Sequence, residues 1–159
     1  MNWSMRCKGL LPLLAACAAL ADGAQAAANC WREAGARHRV DPLLLYSIAK
    51  VESALNPRAV NYNKDGSHDI GLMQINSLHL PGLAKRGITR QRLLDEPCLS
   101  IQVGASILAD FIARYGYTWR AVGAYNAGGA ATREGARKRY VDKVWRQYLQ
   151  LRAEREARG

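Results

Sequence analysis

The stretch from Asp41 to Pro57 constrains this chain more than any other. Asp41-Pro42 supplies an N-cap followed by proline at the first helical position. Leu43, Leu44, Tyr46, Ile48, Val51 and Leu55 then recur so that a helix here is apolar around most of its circumference. A helix of that kind is stable only when other elements surround it, so the remaining segments are expected to wrap around it. Pro57 is expected to end it, because the preceding Asn56 is pushed out of the α region.

The punctuation elsewhere is helical as well. Asn29 can cap a short helix reaching Arg39, and residues 89–94 suit another. A clearer helix runs from Cys98 to about Tyr115, where Ile101, Ala105, Leu108 and Ile112 recur at helical spacing. Thr118 can cap a helix over 119–126 that ends at Gly128-Gly129, and a last helix from about Thr132 carries Tyr140, Val144, Tyr148 and Leu151 on one face. Residues 58–70 read as a long polar loop, and a second apolar segment over 71–78 is broken by Pro81-Gly82. No alternating run is long enough to specify a strand. With 159 residues, 49% of them hydrophobic, the expectation is one all-α domain of six to eight helices. Disorder is excluded by the same apolar fraction.

The N-terminus carries an address. Arg6 and Lys8 precede a twelve-residue apolar run over 10–21, and Asp22-Gly23-Ala24-Gln25-Ala26 supplies an Ala-x-Ala site. This reads as a secretory signal peptide over 1–26, with cleavage after Ala26 or Ala28. At 1.5 Å per residue the run is too short for a ~30 Å hydrocarbon core. Leu14-Ala15-Ala16-Cys17 resembles a lipoprotein box, but the apolar run continues beyond Cys17, so acylation there is the weaker reading. Cys7 and Cys17 leave with the signal, and Cys30 and Cys98 remain in an oxidising compartment. They most simply form one disulfide, with two buried thiols as the alternative. Closing that loop constrains the unfolded chain by roughly 4 kcal/mol on the chain-entropy model.

Basicity belongs to the exported part. The whole chain has 23 Lys and Arg against 13 Asp and Glu, a net +10. Residues 1–26 hold only Arg6, Lys8 and Asp22, so the remainder keeps 21 bases and 12 acids, a net +9. Such a surface suits a polyanionic partner. The export signal argues against nucleic acid, and His38, His68 and His79 sit in no metal-binding spacing.

Three clusters can carry chemistry. Glu52 lies near the end of the apolar helix, where partial desolvation would raise its pKa and make it a proton donor at neutral pH. Its helix position alone is equally served by an exposed stripe or an ion pair. Gln74 and Asn76 interrupt an apolar run, so their amides must find partners or face a polar cleft. Tyr125-Asn126 is flanked by small residues that permit a tight turn and close approach.

Taken in order, Glu52-Ser53, Gly71-Leu72-Met73-Gln74, Ala124-Tyr125-Asn126-Ala127-Gly128 and Tyr140-Val141 resemble the lytic transglycosylases with a goose-type-lysozyme-like (SLT) catalytic domain. The likeness is strongest to the small secreted members that accompany type III secretion, conjugation or pilus machines, and it covers about residues 29–148. It implies a lysozyme-like fold, a catalytic domain over 27–150 and a charged tail over 151–159. It further implies that Glu52 is the sole acid/base, without cofactor or metal. Ser53, Gln74, Tyr125 and Asn126 would line a sugar cleft, and Tyr140 would orient Glu52. The implied partner is the peptidoglycan glycan strand, met by a monomer in the periplasm, with an envelope-spanning machine as a further partner. A lysozyme-type hydrolase using Asp65 or Asp69 as second carboxylate is the nearest rival. A non-catalytic wall-binding subunit is the other.

Overall fold

The computed structural model describes residues 29–159. The signal peptide expected over 1–26, its cleavage site and the alternative acylation of Cys17 lie outside the described residues.

Helix α1 spans 29–38 and leads through Arg39, in left-handed backbone, to helix α2 (Pro42–Ser53). The Asp41 carboxylate accepts from the Leu43 amide at 2.8 Å, and Pro42 occupies the first turn, as its fixed φ favours. Leu44, Leu45, Ile48 and Ala49 are buried, making α2 the apolar spine that its sequence specifies. It ends at Ser53, short of Pro57. Ala54 and Leu55 adopt φ of 51° and 66°, a left-handed conformation that costs about 1–2 kcal/mol per non-glycine residue. Packing of Leu55 against the core and a bond from the Ser53 hydroxyl to the Leu72 carbonyl (2.7 Å) hold the chain in that turn.

The polar stretch expected to be a loop contains two strands of a small antiparallel sheet, and the apolar segment after it supplies the third. Strands β1 (Val60–Tyr62), β2 (His68–Ile70) and β3 (Ile75–Asn76) pair in chain order, with Asn61 opposite Asp69 and Asp69 opposite Asn76. Strands of two and three residues are too short to show alternation, which is why the sequence reads as loop. A 3-10 turn (Ser77–His79) and the short helices α3 (Leu80–Ala84) and α4 (Arg90–Asp95) follow, α4 capped by Thr89.

Helix α5 (Pro97–Tyr115) packs on α6 (Trp119–Ala127), and after a second 3-10 turn the long α7 (Glu134–Glu156) lies against both α6 and α2. Seven α-helices are thus present among the described residues, and the helical class and lysozyme-like architecture expected from the sequence hold. Thr118 does not cap α6 with its side chain; its hydroxyl donates instead to the Tyr115 carbonyl at 3.1 Å. The terminal segment read as a charged tail continues α7 through Glu156. Pairs one turn apart, Arg152 with Glu156 at 2.9 Å and Gln150 with Glu154 at 2.9 Å, favour the helical state there. None of the helices among the described residues is long and apolar enough to cross a membrane.

The disulfide Cys30–Cys98 ties α1 to the start of α5, with 5.4 Å between Cα atoms. Cys98→Ser is therefore expected to lower the unfolding free energy by about 2–4 kcal/mol, read by urea denaturation of the oxidised proteins. A loss below 0.5 kcal/mol would show that the staple contributes nothing to the fold.

Candidate active site

The segment from Gly71 to Gln74 is the hub on which the site is built. It passes between α2, α5 and α6, and side chains from each bind its backbone. Ser53 of α2 donates to the Leu72 carbonyl, and Ser100 of α5 accepts from the Met73 amide at 3.2 Å. The Tyr125 hydroxyl of α6 donates to the Met73 carbonyl at 2.7 Å. Gln74 has φ of 50° and a nearly buried side chain, whose amide nitrogen donates to the carbonyls of Gly71 (2.8 Å) and Ala59 (3.2 Å). Its oxygen accepts from Asn61 at 2.7 Å.

Two glycines make this approach possible. Gly71 has φ of 72°, and a Cβ there would lie 2.6 Å from the Leu93 carbonyl oxygen. A Cβ on Gly104 would meet the Met73 side chain at 2.8 Å, so α5 offers a small Ser100/Gly104 stripe, one turn apart, for the hub to rest on.

Against this frame stands Glu52, in the last turn of α2. Its Oε1 accepts from the Tyr140 hydroxyl of α7 at 2.6 Å. Burial pushes its pKa up from 4.5 to about 7, and the negative charge of Asp69 pushes the same way. Tyr140, Asn126 and Lys143 favour the ionised form and limit the rise. Tyr140 is buried and Tyr125 half-buried, and the desolvation of their hydroxyls drives both phenols well above the ordinary value and keeps them as proton donors in hydrogen bonds.

Glu52 lies where two cavities meet. The larger, about 710 Å³, runs past Asp69, Asn76, Phe111, Tyr125 and Asn126. The smaller, about 320 Å³, is lined by Val51, Arg139, Tyr140 and Lys143, and shares Glu52, Asn126 and Ala136 with the first. An extended ligand laid across Glu52 enters both. Asp69 faces the larger cavity with its two oxygens held by Asn76 (2.8 Å) and Asn63 (3.1 Å). Asp65, at the hairpin tip, also lines the larger cavity and accepts from the Ser67 amide and hydroxyl.

Comparison with known proteins fits this geometry. Residues 29–147 match the family described as the transglycosylase SLT domain. The chain belongs to that family. Invasion protein IagB of Salmonella typhimurium (strain SL1344) is 51% identical over 125 residues, covering 79% of this chain and 78% of that protein. Protein IpgF of Shigella flexneri is 42% identical over 127 residues, covering 80% and 84%. Among solved structures, an inactive variant of lytic transglycosylase Slt from Pseudomonas aeruginosa superposes with a TM-score of 0.65 at 19% identity, over 81% of this chain. The present chain corresponds to 24% of that Slt chain, and the likeness is one of fold. By family, the protein is an enzyme of the peptidoglycan lytic transglycosylases.

Within this SLT domain, the structure gathers Glu52, Gln74, Tyr125, Asn126 and Tyr140 around the cavities. Ser53 lines neither: its hydroxyl is turned to the carbonyls of Ala49 and Leu72. Gln74 and Tyr125 present surface to the cleft while their polar atoms serve the hub. Sequence reasoning missed Ser100 and Arg137. Arg137 is 3% exposed and donates to the carbonyls of Gly128 (2.9 Å) and Ala130 (2.8 Å), fixing the turn that follows Tyr125-Asn126. A usable signal was present for each: Ser100 lies one turn before Gly104, and Arg137 is a base on the buried stripe shared with Tyr140 and Val144.

A carboxyl group whose folded pKa is raised stabilises the fold most in its protonated form. That contribution is whole below pH 4.5 and is lost as pH rises through about 7. Glu52→Gln, which fixes the neutral form, is expected to match the wild type near pH 4 and to exceed its unfolding free energy by as much as about 3 kcal/mol above pH 8. A stability difference that does not change between those pH values would contradict the burial of the charge.

Proposed function

We propose that this protein cleaves the bond between N-acetylmuramic acid and N-acetylglucosamine in peptidoglycan and leaves a 1,6-anhydro ring on the muramic residue. The observation that carries the reading is one carboxyl group, Glu52, at the junction of two cavities with a pKa of about 7. At neutral pH such a group is divided between acid and base, and the reaction needs each in turn. Protonated Glu52 gives its proton to the glycosidic oxygen, and the bond to muramic C1 breaks. The resulting carboxylate takes the proton of the muramic C6 hydroxyl, whose oxygen attacks C1 and closes the ring. Water is not consumed, and Glu52 ends protonated as it began.

Tyr140 holds Oε1 and aims the carboxyl, and its hydrogen bond favours the carboxylate that forms after the first step. Asn126 acts on the same group from α6. The amides and hydroxyls of the larger cavity suit acetamido and hydroxyl groups, and Phe111 offers an apolar wall for a sugar ring.

Relatives with names such as invasion protein IagB, and the peptidoglycan-binding-like protein of Escherichia coli O157:H7 (42% identical over 133 residues, covering 79% of this chain and 80% of that protein), support a setting. In that setting the chain is exported by its signal peptide to the periplasm, where it acts as a monomer and opens the wall locally for a secretion, conjugation or pilus apparatus.

One observation favours a second reading. Asp69 faces the same cavity and its charge reaches Glu52, as a hydrolase's second carboxylate would. The two readings separate on clearance of purified peptidoglycan. In both, Glu52→Gln is expected to lose activity by about 10²-fold or more. In the transglycosylase reading Asp69→Asn stays active, and the alkaline limb of its rate profile moves to lower pH because a charge that raises the Glu52 pKa has gone. Asp69→Asn as inactive as Glu52→Gln would favour the hydrolase, and a wild-type rate flat from about pH 5 to 9 would contradict Glu52 as the acid.

A further inference from the structure

The smaller cavity has a character of its own. Arg139 and Lys143 stand one turn apart on α7, where side chains at that spacing are neighbours, and both line its wall. Each is exposed, neither side chain makes a hydrogen bond or ion pair among the described residues, and Lys143 acts on Glu52 only through its charge. On α7 Arg137 meets Glu134 at 2.6 Å and Arg152 meets Glu156 at 2.9 Å, and among the cations of that helix left without an acid Arg139 and Lys143 are set apart by lining a cavity. The one acid lining the cavity is Glu52, already hydrogen-bonded to Tyr140. Ala136 is too small to close the space between the cations and the larger cavity, whose wall it also joins.

A glycan's hydroxyl and acetamido groups are uncharged and give two adjacent cations nothing to neutralise. The anionic groups of peptidoglycan are the carboxylates of the peptide stem, carried on the lactyl group of muramic acid. If the bond cut at Glu52 is the muramic one, that residue's own stem leaves the sugar within about a ring's width of Glu52. The smaller cavity is the cationic space that opens there. An arginine beside a lysine matches a carboxylate well, since the guanidinium can bind both oxygens while the ammonium adds a point charge.

We propose that Arg139 and Lys143 form a carboxylate-binding site for the peptide stem of the muramic residue being cleaved. The protein then selects strands whose stems bear free carboxylates. This rests on the transglycosylase reading above.

The test compares kcat/KM on intact peptidoglycan strands with that on the same strands after their peptide carboxylates are converted to carboxamides. That change removes charge while keeping sugars and stem length. Wild type is expected to favour the intact strands by about tenfold, the scale of one charge-assisted hydrogen bond. In Arg139→Gln/Lys143→Gln that ratio is expected to fall to within about twofold of unity. Lys85→Gln/Arg90→Gln removes two exposed cations that line neither cavity and controls for the general basicity of the protein. It is expected to keep the wild-type ratio.

Equal turnover of both substrates by wild type overturns the site, as does a ratio that survives in Arg139→Gln/Lys143→Gln or falls equally in Lys85→Gln/Arg90→Gln. Failure of wild type to clear intact strands at all overturns the functional reading and this site with it. Clearance with an unchanged ratio overturns the site alone.

Discussion

The backbone of Gly71–Gln74, held by hydrogen bonds from three helices, is the constraint on which the rest of the structure depends. A buried main chain outside regular structure must satisfy its amides and carbonyls or lose about 1–3 kcal/mol for each orphan. Ser53, Ser100 and Tyr125 satisfy three of those groups, and the Gln74 amide satisfies a fourth. The same bonds fix the end of α2 against α5 and α6. Glu52, next to Ser53, inherits its position from them. Tyr125, tied to Met73, fixes the last turn of α6, which carries Asn126. The geometry of the candidate site is a by-product of solving a burial problem.

A second balance sits on top of that frame. Desolvation and Asp69 favour the acid form of Glu52, while Tyr140, Asn126 and Lys143 favour the base. Because these influences come from α6, α7 and β2, the balance exists only in the folded domain. It also sets a cost: holding a carboxylate in a buried place works against stability once the pH exceeds its pKa. The fold tolerates this because α2 is otherwise apolar and the Cys30–Cys98 bond limits the freedom of the unfolded chain.

Much of the fold was legible. Asp41-Pro42, Thr89 and the stripe through Ile101 and Leu108 marked α2, α4 and α5 because capping and helical periodicity are local signals. The sheet was not legible, since its strands are shorter than the pattern that identifies one. The end of α2 was misjudged because two non-glycine residues take left-handed backbone under tertiary contact, which local preference does not foresee. At the site, Glu52 and Tyr140 could be named from four motifs in order, and their hydrogen bond is present. Ser53, Gln74 and Tyr125 were expected at the sugar. Their partners are backbone atoms, several of them far away in sequence, so their scaffolding role emerges only once the chain is folded.

In the proposed reaction one acid/base group, Glu52, lets the substrate's own hydroxyl close the ring. Mass analysis of the muropeptides released from purified peptidoglycan by the mature domain tests it most directly. Muramic ends one water lighter than reducing ends are expected, because the C6 oxygen takes the place of water. Release of reducing muramic ends alone would contradict it.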